Sequence, residues 1–409
     1  MTEIKRTLSL GFADLAADRY PTVDFEVAPG TDSVEVQLDY DRDQATIDLG
    51  CEGAAGWRGW SGGARSWFMI NQDTATPGYR PGRPEPGLWK VQLGLYRMPA
   101  SPIDVTVTIT TPAVSTLPAE PAVVPRPDTP RAHVRNLPCT TGLTWYAGDF
   151  HAHSTHSDGE QSLEELTALA VEAGLDFLAV TEHNTTSHHP LLAGLGAAHD
   201  ITLLPGQEVT TARGHANAFG DIGWIDFRRH PDHWVREVAE RGGILSINHP
   251  LQDDCAWQHE LSVLPPALEL WHISWFLQPE ATGPWAYLAR WDRPTILLGG
   301  SDYHRAGQGY KPGTPVTWVA AEDRSPEAIL EGVSQGRTMI TRLAAPDAPA
   351  LVRIDDDLIA VEADGTVLTD FAGRRRVLHG DRVVIPVAEA GEAPYRLESV
   401  AGLVLAITG

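Results

Sequence analysis

Residues 162–184 read SLEELTALAVEAGLDFLAVTEHN, a helix followed at once by a strand and then by a histidine. Ser162 is a helix-capping type, because its hydroxyl can accept a backbone N–H left unpaired in the first turn. Leu163, Leu166, Ala170 and Ala173 recur at helical spacing and mark one apolar face. Gly174 is the stop signal, since glycine adopts the left-handed conformation that ends many helices. The run LDFLAVT then reads as a strand, and His183 stands just beyond it.

The same grammar extends in both directions. From Trp145 onward, strands alternate with helices, which is the pattern of an α/β domain with parallel strands. Strand ends deliver Glu208 after ITLLPGQ, His249 after GGILSIN and Asp302 after TILLGGS, and LELW at 268–271 is a further strand. A helix around Pro326 to Gly336 precedes the strand TMIT. Active sites of α/β barrels gather at the C-terminal ends of their strands, so these placements agree with one another.

The flanks follow a different period. Val34, Val36, Leu38 and Tyr40 alternate with polar residues, as do Val91, Leu93 and Leu95, and Ile103, Val105, Val107 and Ile109. That alternation, with Gly- and Pro-rich turns between, predicts a β-sandwich-like domain. The proline-rich stretch 111–138 reads as a linker, and residues 350–409 return to short strands. The expected organisation is a β-rich domain with linker at 1–138, an α/β domain at 139–345 and a β-rich region at 346–409.

Composition narrows the function. The chain has 409 residues, 42% of them hydrophobic and 21% charged, as in a globular protein, and no apolar run spans a bilayer. The first twenty residues lack the pattern of a secretory signal, so the expected location is cytoplasmic, away from membranes. A net charge of −23 without a basic block argues against bulk nucleic-acid binding. Cys51, Cys139 and Cys255 are too dispersed for a disulfide framework or a thiolate zinc knuckle.

Histidines and carboxylates carry the chemistry. They concentrate in GDFHAHSTHSDG, VTEHN, GQEVTTARGHANAFG, INHP and GGSDYH. Residues two apart on a strand share a face, so His151 with His153, and Asp302 with His304, can each approach one cation. Imidazole and carboxylate donors suit zinc, manganese or iron, and carboxylates can bridge adjacent cations.

This constellation resembles the PHP (polymerase and histidinol phosphatase) family over roughly residues 145–342. The resemblance implies a distorted (β/α)7 barrel holding two or three divalent metal ions, Mn, Zn or Fe, at its strand C-termini. The implied ligands are His151, His153, Asp158, His183, Glu208, His215, His249, Asp302 and His304. One metal would take His151, His153, Glu208 and Asp302; a second would share Glu208 and add His215 and His249; a third would take Asp158, His183 and His304. The N-terminal β-domain, the WYAGDFHAHSTHSDG entry and RGHANAFG resemble the branch that includes carbaryl-type carbamate hydrolases.

The expected activity is phosphoester hydrolysis of a small molecule by hydroxide held at the metals by Glu208 and Asp302, with no protein nucleophile. His156 is the candidate acid, and Arg213, Arg305 and Lys311 are candidates for holding a substrate anion. Asn184 and Asn217 could orient ligands or substrate, His188, His189, His230 and His233 are expected in solvent or beside ligands, and His259 and His272 carry no role. The alternatives are a carboxylic-ester or carbamate hydrolase, favoured by an apolar pocket of Trp271, Trp275 and Phe276, and a non-catalytic binding module. Oligomeric state has no signature in the sequence.

Overall fold

The computed structural model describes residues 1–117, 123–276, 283–291 and 294–409, with the side chain of Phe276 outside that description. The chain divides into two compact units. The smaller comprises Met1–Val123, His153–Leu163 and Glu182–Pro190; the larger comprises Val124–Ala152, Glu164–Thr181 and Leu191–Gly409.

The smaller unit is built on two four-stranded sheets. One runs in the order Thr2–Leu10, Ile103–Thr111, Ser33–Asp39, Trp67–Asn71, and the other in the order Thr22–Val27, Gly87–Arg97, Thr46–Gly53, Gly56–Gly62. All their pairings are antiparallel. The period-two pattern explains the packing: Val34, Val36, Val105 and Val107 from one sheet share a buried core with Ile47, Leu49, Val91 and Leu93 from the other. Cys51 is buried in that core. An N-terminal β domain is therefore present, and two short segments carrying His153, Asp158 and His183 belong to the same unit.

The larger unit is mixed α/β. Thr144–Asp149 pairs in parallel with Phe177–His183, and Ile244–Ile247, Ala267–His272 and Ile296–Gly300 pair in parallel in that order. Leu163, Leu166 and Ala170 of the helix Leu163–Glu172 are buried, and Gly174 has the left-handed φ of 78° that its stop signal implies. The parallel pattern is broken at Val316–Ala321, which runs antiparallel to both Thr144–Asp149 and Thr338–Thr341, and again at a hairpin. Thr202–Thr211 turns back through a hairpin into Gly214–Phe219, which runs antiparallel to both its neighbours. Glu208 consequently lies inside a strand rather than beyond its end, and His183 is the last residue of its own strand.

The C-terminal strands are integrated into this unit. Val404–Thr408 pairs with Thr338–Thr341, and Tyr395–Glu398, Val367–Thr369 and Arg375–Val377 extend the same sheet. Ala350–Ile354, Asp357–Val361 and Arg382–Pro386 form a separate three-stranded sheet. Among the described residues, no helix is long and apolar enough to cross a membrane.

Candidate metal centre

In the larger unit, backbone ties bring two distant strand ends together. Asp149 is fully buried and accepts N–H bonds from His151 (3.0 Å), Ser301 (3.0 Å) and Gly313 (2.7 Å). Burial pushes its carboxyl above the ordinary value, and the three amides oppose that rise. A parallel bridge between Ala152 and Tyr303 completes the alignment and sets His151 alongside Asp302. His151 Nε2 then lies 3.2 Å from Asp302 Oδ1 and 3.1 Å from Glu208 Oε1.

Those separations have the dimension of a coordination polyhedron. Ligands about 2.0–2.2 Å from a cation and at right angles to one another are about 3 Å apart. The hairpin supplies the next donors. Thr210 pairs with His215 and Glu208 with Asn217, so Glu208 and His215 are diagonal neighbours on one face. Glu208 Oε1 lies 3.2 Å from His215 Nδ1 and 3.3 Å from His249 Nε2, and it accepts a bond from Asn248 Nδ2 at 2.8 Å. One carboxylate oxygen thus faces three imidazoles from three strands or strand ends.

The backbone is strained where two candidate ligands leave their strands. His249 has φ of 22° and Asp302 φ of 50°, both in the left-handed region that non-glycine residues avoid. His304 follows Asp302, with Nδ1 2.8 Å from the Asp302 carbonyl oxygen. Asn217 Nδ2 donates to the Phe150 carbonyl at 3.2 Å, which steadies the backbone entering His151.

The donor set fits divalent cations. Glu208, Glu269 and His151 are buried, and a buried carboxylate is costly unless a positive charge faces it. Burial opposes charge on His151, yet Asp302, Glu269 and Glu208 raise its pKa well above the ordinary value. Burial holds His249 below its ordinary value, against the Glu208 contact that raises it, and so favours the neutral form that ligates.

Three residues of this group were missed by sequence reasoning. Glu269 Oε1 lies 3.0 Å from His151 Nδ1 and its Oε2 accepts the His249 N–H at 2.7 Å. His272 is fully buried, with Nε2 3.3 Å from Asp302 Oδ2 and Nδ1 2.8 Å from Ser274 Oγ. Cys255 Sγ lies 3.4 Å from His249 Nδ1. A signal existed for Glu269, because a carboxylate in the buried strand ALELWH demands a polar partner; nothing in the sequence marks Cys255.

The smaller unit holds its own group. The rings of His153 and His183 stack at 4.4 Å, and His183 Nε2 lies 3.4 Å from Asp158 Oδ1. Glu182 organises the loop: it accepts bonds from Ser154 N (3.0 Å), Ser154 Oγ and Ser157 Oγ (each 2.5 Å). Burial pushes Glu182 up to about 7, while the serine bonds pull the other way. Arg65 donates to the carbonyls of Thr155 and Ser157 from the β domain. Asn184, with φ of 53°, offers its carbonyl to Trp57 Nε1 at 3.1 Å.

The remaining candidates make the following contacts. His156 is half-buried, 2.8 Å from Ser187 Oγ, and burial with the nearby Arg65 charge pushes it down to about 4, so it is unprotonated at neutral pH. Arg213 donates to the Gln258 carbonyl, the Arg305 N–H donates to Gln308, and Lys311 pairs with Glu172 at 3.0 Å on the surface. His188 is buried, not in solvent, which leaves the other half of its expectation, a place beside ligands; its ring meets that of His189 edge-on, and His230 is exposed. His259 lies 2.9 Å from Thr211 Oγ1.

A cavity of about 680 Å³ adjoins His249 and Glu269. Its walls include Pro250, Leu251, Asp254 and Trp275, and no Lys or Arg stands among the described residues that line it. Trp271 and Trp275 stack at 5.9 Å, while the Phe276 side chain lies outside the described residues.

No protein-family model and no curated protein matches the chain. Its structural neighbours include a two-domain protein from Bacteroides vulgatus containing a predicted PHP-like metal-dependent phosphoesterase, at 19% identity and TM-score 0.39, covering 66% of this chain and 88% of that one. A candidate metal-dependent phosphoesterase from Bifidobacterium adolescentis is 16% identical at TM-score 0.30, covering 40% and 90%. An amidohydrolase from Chromobacterium violaceum, with sulfate bound and no metal, is 15% identical at TM-score 0.30, covering 48% and 98%.

Proposed function

We propose that this protein is a metal-dependent hydrolase of small-molecule esters, with phosphoesters as its leading substrate class. The observation that carries the reading is the convergence of three imidazoles, from His151, His215 and His249, on Glu208 Oε1. The proposed ligands are those nine read from the sequence, and the proposed cofactors are two or three Mn, Zn or Fe ions. Such ions, when bound, supply water activation and neutralise charge that builds up as an ester bond breaks.

The chain's own residues have defined tasks in this reading. Glu208 would be shared between two ions, Asp302 and His151 would hold one of them, and His215 and His249 would hold the other. A distorted barrel of PHP type is the proposed form of the larger unit's sheet. In support, Thr317 Oγ1 exchanges bonds with both Gly299 N (2.8 Å) and Gly299 O (2.9 Å), and Thr338 Oγ1 donates to Leu297 O at 3.1 Å. These contacts tie Ile296–Gly300 to strands well removed from it in the sheet order.

A second reading, hydrolysis of a carboxylic or carbamic ester, is favoured by the cavity beside His249, whose described walls mix apolar, acidic and neutral polar residues with no Lys or Arg. Phosphate recognition ordinarily draws on Arg or Lys. Release of p-nitrophenol from phosphodiester, phosphomonoester and carboxylic-ester substrates by protein loaded with Mn²⁺ or Zn²⁺ separates the two. Phosphoester turnover supports the first; turnover of the carboxylic ester alone replaces it with the second.

A further inference from the structure

We infer that Glu269 is the positioning residue of this centre, one carboxylate that sets the orientation of two ligands from different strands. The inference rests on the metal-centre reading above. Glu269 lies in the buried strand Ala267–His272, between the strand that leads into His249 and the strand that leads into Asp302. Its two oxygens are spent on different tasks.

Oε1 faces His151 Nδ1 at 3.0 Å. An imidazole whose Nδ1–H is held by a carboxylate presents the lone pair of Nε2, and in His151 Nε2 is the atom facing Glu208 and Asp302. The contact therefore fixes tautomer and ring plane together. It also makes the imidazole a stronger donor, because the carboxylate balances positive charge drawn onto the ring.

Oε2 accepts the backbone N–H of His249 at 2.7 Å. That residue has φ of 22°, a conformation of the kind that persists only when surroundings impose it. The Glu269 bond is one such constraint, and it aims the His249 side chain so that Nε2 meets Glu208 at 3.3 Å. Gly300 supplies the room: a Cβ there would stand 2.4 Å from Glu269 Oε1 and 2.5 Å from His151 Cβ. Glycine at this position is thus a steric requirement of the Glu269–His151 pair.

The test is zinc titration calorimetry on the full chain and on Glu269→Gln, with circular dichroism of the metal-free proteins to report folding. The near-isosteric amide keeps the volume and loses the charge. Zinc should bind the folded variant about 10–100-fold more weakly than the wild type, with partial recovery in Glu269→Asp. A second readout needs no variant: long-range ¹H–¹⁵N spectra of the zinc-loaded wild type should show His151 protonated at Nδ1. Unchanged zinc affinity in folded Glu269→Gln, or His151 protonated at Nε2, would overturn the inference while leaving the metal centre intact. A wild-type chain that takes up no divalent metal would instead remove the reading on which it stands.

Discussion

Glu208 Oε1 and His151 Nε2 lie 3.1 Å apart, both residues fully buried, one inside a hairpin strand and the other just past the end of the first strand of the larger unit. The relationship predicts that each is required for metal retention. Glu208→Gln should lower metal content and reduce turnover by more than about 100-fold, since even partners that merely orient ligands contribute 10–100-fold. Elemental analysis of the purified variant beside its activity checks this.

Metal binding should release protons. The carboxylates around His151 hold it protonated in the metal-free protein well above the ordinary imidazole range, although burial opposes this. A cation must displace that proton. Zinc titrations at pH 7 in buffers of different ionisation enthalpy should therefore give different apparent heats, with affinity rising as pH rises; identical heats would count against the assignment.

The metal-free protein should show the opposite trend in stability. A histidine whose folded pKa is raised stabilises the fold below its unfolded value and loses that contribution as pH rises through the folded one. Glu182, raised to about 7 by burial, acts in the same direction, because the folded state holds its proton more tightly between about pH 4.5 and pH 7. Glu182→Gln should flatten the decline across that window in urea-unfolding measurements on metal-free protein.

His156 works against them. Burial, then the Arg65 charge, depress it to about 4, so the unfolded chain binds its proton more readily and stability falls as pH drops from about 6.5 toward 4. His156→Gln should remove that part of the acid sensitivity. An unchanged acid limb would show that the ring is hydrated in solution.

Packing under the site is equally testable. A Cβ on Gly148 would stand 2.2 Å from the Phe177 ring, on the strand pair that leads to His151 and His183. Gly148→Ala should cost about 1–3 kcal/mol of unfolding free energy by overpacking.

Much of this was legible in the sequence for identifiable reasons. His249 and Asp302 follow short apolar runs, bounded by glycines or turn residues, that read as strands, and candidate ligands at strand ends keep their linear order. The β domain announced itself through alternation at Val34 to Leu38 and Val105 to Ile109. The hairpin was not legible, because its two turn residues, Ala212 and Arg213, are not turn-forming types and Gly214 already belongs to the second strand, paired with Thr211. Glu269 and His272 were hidden for another reason: their role depends on which neighbour a strand packs beside, and local pattern does not specify that. Nor did it specify that the segments with His153, Asp158 and His183 group with the β domain.

The most direct test of the central claim is hydrolysis of a p-nitrophenyl ester panel by protein stripped of metal and then reconstituted with Mn²⁺ or Zn²⁺, with Asp302→Ala as control. The account predicts two or three bound ions per chain and ester cleavage that appears only with metal and is lost in the variant. Cleavage that persists without metal, or full activity in Asp302→Ala, would contradict it.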